Sequence, residues 1–308
     1  HRDLHSLRRR QRQMCIRDRS YLVRRAIEMK RGEVSSLPLS GRVVALLFEK
    51  PSTRTRVSMS VAVHQLGGLP LTLEFRSLQV SRGESIRDTA LVLSGYVDAI
   101  AARVRSHSTL EEMAKWAKVP VLNMISALFH PLQAVADVMT MVERFGWRKL
   151  KVVFVGDGGA NTSHSLMVAS ALMGYEHVIS SPRKYAPRRE IVERAEKIAE
   201  RTGGSISIVE DPREAVRGAD VIYTDTWVSM GVEDVEERLS TFPPYQVNSE
   251  LLERAPEDAI VLHCQPWFLG QEITEEVAYS ERCLAFQQAE NRLHTAKAVL
   301  EALLSEGP

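Results

Sequence analysis

No apolar stretch in this chain of 308 residues approaches the roughly 20 residues a helix needs to cross a bilayer, so no membrane-spanning helix is expected. Cysteine is scarce. Cys15, Cys264 and Cys283 show neither metal-ligand spacing nor a disulfide framework, which excludes a zinc-stapled or disulfide-built domain. With no signal peptide in view, a reducing cytoplasm is the expected compartment. Internal repeats and low-complexity tracts are also missing, which excludes a solenoid. What remains is 44% hydrophobic and 26% charged, the composition of a globular protein long enough for two cores.

Net charge is only +1, and it is unevenly spread. Residues 1–20 hold seven Arg and two Asp, a net of +5, which leaves −4 for the rest. A mildly acidic body argues against general nucleic-acid binding. The segment HRDLHSLRRRQRQMCIRDRS has no helical or strand period. It reads as a basic arm, as a transit peptide, or as sequence foreign to the gene, because QMCIRDRS resembles translated sequencing-adapter text. The last reading is preferred, and residues 1–20 are set apart as non-native or disordered. If the arm instead binds nucleic acid, its removal abolishes that binding.

From residue 21 onward, short apolar runs alternate with helical periods. The first series is Val43–Phe48, Leu69–Phe75, Ala99–Val104 and Val119–Ile125. The second is Lys151–Gly156, His177–Ser180, Ser205–Val209, Asp220–Thr224, Ala259–Cys264 and Cys283–Phe286. This is the βαβ pattern of parallel sheets covered by helices. The expected fold is α/β with two such domains, 21–147 and 148–288, dividing near Gly146-Trp147-Arg148 and enclosing the active site in a cleft. A helix from His130 to Phe145 crosses between them, and a last helix, 289–304, packs back on the first.

Functional residues in open α/β sheets gather at the carboxyl ends of strands. After Val43–Phe48 comes Ser52-Thr53-Arg54-Thr55-Arg56, then a helical segment, Val57–Gln65. Strand, hydroxyl-rich turn and helix start can hold a phosphate through free N–H groups, the helix dipole and a forked guanidinium. An ordinary Ser/Thr-capped helix has the same signature, and this segment alone does not separate the two. Arg103 ends a buried strand and needs an anion or a carboxylate. His130 and Gln133 lie one turn apart at a helix start. Gly156, Gly158 and Gly159 follow a strand, but GDGG is not GxGxxG and no acidic residue ends the next strand. A nicotinamide cofactor is therefore not expected.

Six segments in order resemble the aspartate/ornithine transcarbamoylase family over nearly all of residues 21–308. They are FEKPSTRTRVS, RGESIRDTA, HPLQAVAD, DVIYTDTWVSMG, the His263-Cys264-Gln265-Pro266 turn, and QAENRLHTAKAVL. TDTWVSMG is similar to the ornithine branch. The resemblance implies that Ser52, Thr53, Arg54 and Thr55 bind the phosphate of carbamoyl phosphate. Arg103, His130 and Gln133 would reach its carbonyl and amide, Arg292 and the backbone of Gln265 would assist, and Gln79 would serve a neighbouring subunit. Asn123, Asp225, Ser229 and Met230 would hold the amino and carboxylate groups of L-ornithine. Arg54, Arg103, His130 and Cys264 would carry catalysis, with Cys264 placing or deprotonating the amine. The products would be citrulline and phosphate, in the setting of arginine metabolism. The resemblance also implies a homotrimer, and the chemistry needs neither cofactor nor metal.

Several positions depart from the family pattern. The usual HCLPAHRGEE reads HCQPWFLGQE, NGLSD-x-x-HPCQ becomes Asn123–Gln133 with Ala127 and Leu132 in place of Asp and Cys, and the glycine turn is one residue longer. An aromatic, apolar loop beside the substrate would suit another amine, such as an acylated ornithine or putrescine. A non-catalytic paralogue acting as a binding subunit is the remaining alternative.

Overall fold

The computed structural model describes residues 18–33, 36–228 and 233–304. Among the described residues nine strands form two fully parallel sheets. The first contains β1 (Val43–Phe48), β2 (Leu69–Glu74), β3 (Ala99–Arg103) and β4 (Val121–Ile125) in the order β2-β1-β3-β4. The second contains β5 (Lys151–Val155), β6 (Glu176–Ser180), β7 (Ser205–Ile208), β8 (Val221–Thr224) and β9 (Ile260–His263) in the order β7-β6-β5-β8-β9. Central strands are buried on both faces, which is why VVALLF and KVVFV read as unbroken apolar runs.

The longer helices are α1 (Asp18–Lys30), α2 (Arg54–Gln65), α3 (Ile86–Leu93), α4 (His107–Trp116), α5 (Pro131–Phe145), α6 (Asn161–Met173), α7 (Arg189–Thr202), α8 (Val235–Thr241) and α9 (Ala285–Leu304). Pro131 opens α5 at a position that needs no N–H, and Gly146 closes it with φ 69°. One core lies on a face of the first sheet, where Phe48, Met59 and Met139 meet Ala296, Val299 and Leu300 of α9. Helix α9 thus returns to the first sheet, packing on α1, α2 and α5. Phe154, Leu166 and Tyr223 form part of a separate core on the second sheet.

Three boundaries differ from expectation. The run Cys283–Phe286 is not a strand. Cys283 makes a single bridge to Val261, and the helical hydrogen bonds of α9 take over from Ala285. Helix α2 starts at Arg54 instead of Val57, so the arginine of the phosphate motif sits on its first turn. Helix α1 begins at Asp18, inside the arm set apart from sequence, because the helix that buries Leu22, Val23, Ala26 and Met29 extends back by a turn.

Candidate active site at the strand ends

Each sheet has a point where the strand order reverses, and a crevice opens there. In the first sheet it lies between β1 and β3. The loop after β1 carries Ser52–Thr55, and Arg103 is the last residue of β3. In the second it lies between β5 and β8. Gly156–Gly159 follow β5, and Asp225 follows β8. Gly156 has φ 131°, and a Cβ on Gly158 would stand 2.9 Å from the Tyr185 carbonyl oxygen. Glycine is required at both positions by the backbone, with no need for a dinucleotide to explain it.

The start of α2 is open. Thr53 occupies the N-cap but makes no side-chain cap bond, so the first N–H groups of α2 have no side-chain cap. Thr55 is buried, and its hydroxyl accepts a hydrogen bond from the Arg292 guanidinium on α9. Arg54, Arg103 and Arg292 have no carboxylate within ion-pair distance among the described residues. Burial pushes the Arg292 guanidinium down to about 10, with Arg54 and Arg103 pushing the same way. Arg103 is lowered too, by burial and then by Arg54. Three mutually repelling cations without a counter-charge form a cradle for an anion.

His130 is the N-cap of α5 and is 4% exposed. Burial, then Arg292 and Arg103, hold its imidazole well below the ordinary histidine range, so the ring is neutral at pH 7. A neutral ring keeps one N–H to offer, and the expected donor is therefore uncharged. Its Nδ1, the Oε1 of Gln133, the Oδ1 of Asn123 and the Nε atoms of Arg103 and Arg292 are all buried with no hydrogen-bond partner. Unpaired buried polar atoms are uncommon, and these five belong to residues expected to meet carbamoyl phosphate or, for Asn123, ornithine, although others such as those of Tyr175 and His177 lie at residues with no such expectation.

On the second sheet, Asp225 is 9% exposed. It accepts hydrogen bonds from the Thr162 hydroxyl at 2.7 Å, the Thr226 N–H at 2.9 Å and the Cys264 thiol at 3.2 Å. No cation pairs with it among the described residues. Burial, followed by Asp225, raises the Cys264 thiol well above its ordinary value. Cys264 is thus a protonated donor to Asp225, not a thiolate ready to take a proton. The charge of Cys264 would act on Arg103 and Arg292, so the two sheets' clusters adjoin.

The turn after Cys264 is held by a buried pair. His263 Nδ1 accepts the Gln265 N–H at 2.8 Å, which leaves Nε2–H to donate to Glu272 at 3.0 Å. Glu272 also accepts the Phe268 N–H at 2.7 Å. Gln265 has φ 56°, a left-handed conformation that costs a residue other than glycine about 1–2 kcal/mol, and the peptide to Pro266 is cis. Since the Gln265 N–H is taken, its carbonyl is the backbone group left for a ligand, and it already accepts a long contact from the Cys264 thiol at 3.7 Å. The aromatic loop is anchored by its tryptophan. Trp267 packs edge-on against His263, Tyr279 and Phe286, with ring centroids 5.4–5.8 Å apart.

Gln79 sits apart from these residues, exposed on a one-turn helix between β2 and α3. Ser229 and Met230 lie outside the described residues. Three contributors escaped the sequence reading. Thr162 supports Asp225, Arg238 bonds both Asp157 and the Trp227 carbonyl, and Asp137 lies between Gln133 and Gln288. Most of these links join distant segments and leave no local signal; the exception is Gln133–Asp137, four residues apart on α5. A groove of about 650 Å³ lined by Arg24, Glu28, Glu143 and Trp147 lies elsewhere, at the far end of α5. The helical rise puts it about 20 Å from His130.

Among the described residues no group of His, Cys, Asp and Glu is arranged to hold a metal ion, and no helix is long and apolar enough to cross a membrane. Comparison with known proteins gives a consistent result. Residues 9–143 match the family description "Aspartate/ornithine carbamoyltransferase, carbamoyl-P binding domain", and residues 148–303 match "Aspartate/ornithine carbamoyltransferase, Asp/Orn binding domain". Ornithine carbamoyltransferase of Hyperthermus butylicus is 55% identical over 87% of this chain and 86% of its own. The Methanopyrus kandleri enzyme of that name is 50% identical over 86% and 85%. The solved ornithine carbamoyltransferase of Pyrococcus furiosus superposes with a TM-score of 0.90 at 46% identity, covering 96% of this chain and 95% of that one.

Proposed function

The chain belongs to the aspartate/ornithine carbamoyltransferase family, and from that premise we infer how its own residues transfer a carbamoyl group from carbamoyl phosphate to the δ-amine of L-ornithine, giving L-citrulline and phosphate. The observation that carries the reading is charge without counter-charge. Arg54, Arg103 and Arg292 lack an anion on one sheet, and Asp225 lacks a cation on the other.

Carbamoyl phosphate supplies the anion. Its phosphate takes the open N-terminus of α2 with Ser52, Thr53, Arg54 and Thr55, and Arg292 backs Thr55. The neutral His130 and Arg103 donate to the carbonyl oxygen, where negative charge grows as the amine attacks. Gln133 Oε1 accepts from the carbamoyl amide. Asp225 receives the α-ammonium group of ornithine, with Asn123 beside it and Ser229 and Met230 assigned by resemblance. The δ-ammonium gives one proton to solvent, the free amine attacks the carbamoyl carbon, and the tetrahedral intermediate breaks its C–O bond to expel phosphate, which takes the second amine proton as it leaves. Cys264, held as a thiol, orients Asp225 and borders the reacting carbon. Rate enhancement comes from orientation and fixed donors, with no covalent enzyme intermediate.

We assign residues 21–147, with the last helix, to a carbamoyl phosphate domain and 148–288 to an ornithine domain, which close after carbamoyl phosphate binds. We also propose a cytoplasmic homotrimer serving arginine metabolism, with Gln79 reaching a neighbour's site. Exposed Leu69 and Leu71 on edge strand β2, close in sequence to Gln79, support that contact.

An amine panel tests the substrate. Ornithine should be turned over at least about a hundredfold faster than acetylornithine, which leaves the buried Asp225 carboxylate without its cation, and faster than putrescine, which keeps that ammonium but lacks the α-carboxylate. Faster turnover of either analogue would overturn the assignment.

A further inference from the structure

One buried carboxylate has no part in the scheme above, yet it touches two of its elements. Asp137 lies on α5, one turn beyond Gln133, and is 1% exposed. Its Oδ1 accepts the Gln133 side-chain amide at 2.8 Å and the Gln288 side-chain amide at 2.6 Å. The same Gln288 nitrogen donates to the Tyr223 hydroxyl at 3.3 Å. Gln288 Oε1 then accepts the backbone N–H of His263, the residue before Cys264, at 3.0 Å. A single oxygen therefore joins α5, α9 and the end of β9.

This has a chemical consequence for Gln133. A glutamine side chain can present either its amide N–H₂ or its carbonyl oxygen, and the two orientations differ only by a flip. Two N–H₂ groups converge on one Asp137 oxygen, and an oxygen can only accept from both. Nε2 of Gln133 is thereby committed to Asp137, and Oε1 is left as the buried, unpaired acceptor. A leucine or alanine at 137 would release the flip.

We propose that Asp137 is a positioning residue: it fixes the Gln133 amide so that Oε1 faces the donor substrate's N–H₂ group, and it ties that setting through Gln288 to the turn bearing Cys264. The proposal rests on the carbamoyl-transfer reading and deepens it by assigning donor-substrate selectivity to a residue that does not touch substrate. Burial raises the Asp137 carboxyl to about 7 against the opposing Gln133 and Gln288 hydrogen bonds, so both its oxygens act purely as acceptors above that pH, where the binding comparison is made.

The test compares two acyl phosphates. Carbamoyl phosphate carries an N–H₂ group, whereas acetyl phosphate has a methyl group in its place and gives Gln133 nothing to accept. Competition binding to the full-length protein should show a preference for carbamoyl phosphate in the wild type. Asp137→Ala should reduce that preference about tenfold while leaving acetyl phosphate affinity within about twofold. Asp137→Asn keeps an acceptor oxygen in place and should restore the preference to within about threefold of wild type. If Asp137→Ala does not fold, Asp137→Glu keeps the carboxylate but displaces it by one methylene, and should lose preference in the same direction. A folded Ala or Glu variant with the wild-type preference, or a wild type that binds both acyl phosphates equally, would overturn the proposal. A wild type that binds no carbamoyl phosphate would instead refute the function on which it rests.

Discussion

A guanidinium at the end of a buried strand has few options, and Arg103 takes none of the structural ones: no carboxylate reaches it among the described residues. Arg54 and Arg292 share that condition, and their mutual repulsion persists until an anion arrives. Asp225 is the converse case, an acceptor of three hydrogen bonds that still lacks a cation. Elsewhere, burial acts on single groups far from this chemistry. His177 on β6 is fully buried, and burial lowers it from 6.5 to about 3. Between those values the unfolded chain binds a proton that the folded chain refuses. The contribution to stability is therefore complete above pH 6.5 and declines as pH falls toward 3, by about 1.4 kcal/mol per pH unit. His164, lowered to about 4, acts in the same direction. Asp137, raised from 3.8 to about 7, acts in the opposite one, stabilising at low pH and losing that contribution as pH rises to 7. Denaturant unfolding from pH 7.5 to 5 should show stability falling with acid, and His177→Asn should remove about 1.4 kcal/mol per pH unit of that slope. An unchanged slope would show that His177 is not held neutral in the folded state.

Elements were legible in the sequence where one element's own pattern decided its form. The strands buried on both faces read as unbroken apolar runs because both faces are covered, and nine of the ten expected runs are strands. Helix α5 was marked by Pro131 and Gly146 and by its apolar stripe. The run Cys283–Phe286 misled because four apolar residues cannot distinguish a strand from the entry to a helix. Gly158 was legible as a turn but not as a contact. Only the fold reveals that Pro187 and Tyr185 leave no room there for a Cβ. Much of the candidate site followed from motif order: Thr55 and Arg292 meet, His130 and Gln133 are buried together, and Cys264 reaches Asp225. Links between distant segments were hidden. Gln288 lies 151 residues from Asp137, and Arg238 lies 81 residues from Asp157, separations that leave no local period. The aromatic loop was read as a possible change of substrate, and the fold adds a packing role that the sequence did not reveal, since Trp267 joins a cluster with Tyr279 and Phe286.

At the scale of the molecule, two sheets present their strand-order reversals to one cleft, and α5 and α9 join them. Beside the apolar packing of Leu128, Phe129 and Met141 on the second sheet's core, hydrogen bonds cross the cleft base. Ser165 accepts the His130 N–H at 2.7 Å, and Asn161 donates to the Ser126 carbonyl at 3.0 Å. Assembly extends the argument to neighbouring chains. If Gln79 serves the adjacent subunit, Gln79→Ala and Arg54→Ala proteins should each be impaired alone. Dissociated and reassembled together, they should regain activity, because some hybrid sites combine both native residues. Mixtures no more active than their components would place Gln79 outside the site. The most direct test of the whole account is one assay that counts citrulline and phosphate together, with carbamoyl phosphate and ornithine supplied to wild type and to Arg103→Leu. The account predicts equal amounts of the two products from wild type and a loss of about a hundredfold or more in the variant, as one oxyanion donor is removed. Phosphate released without citrulline, or a variant as active as wild type, would contradict it.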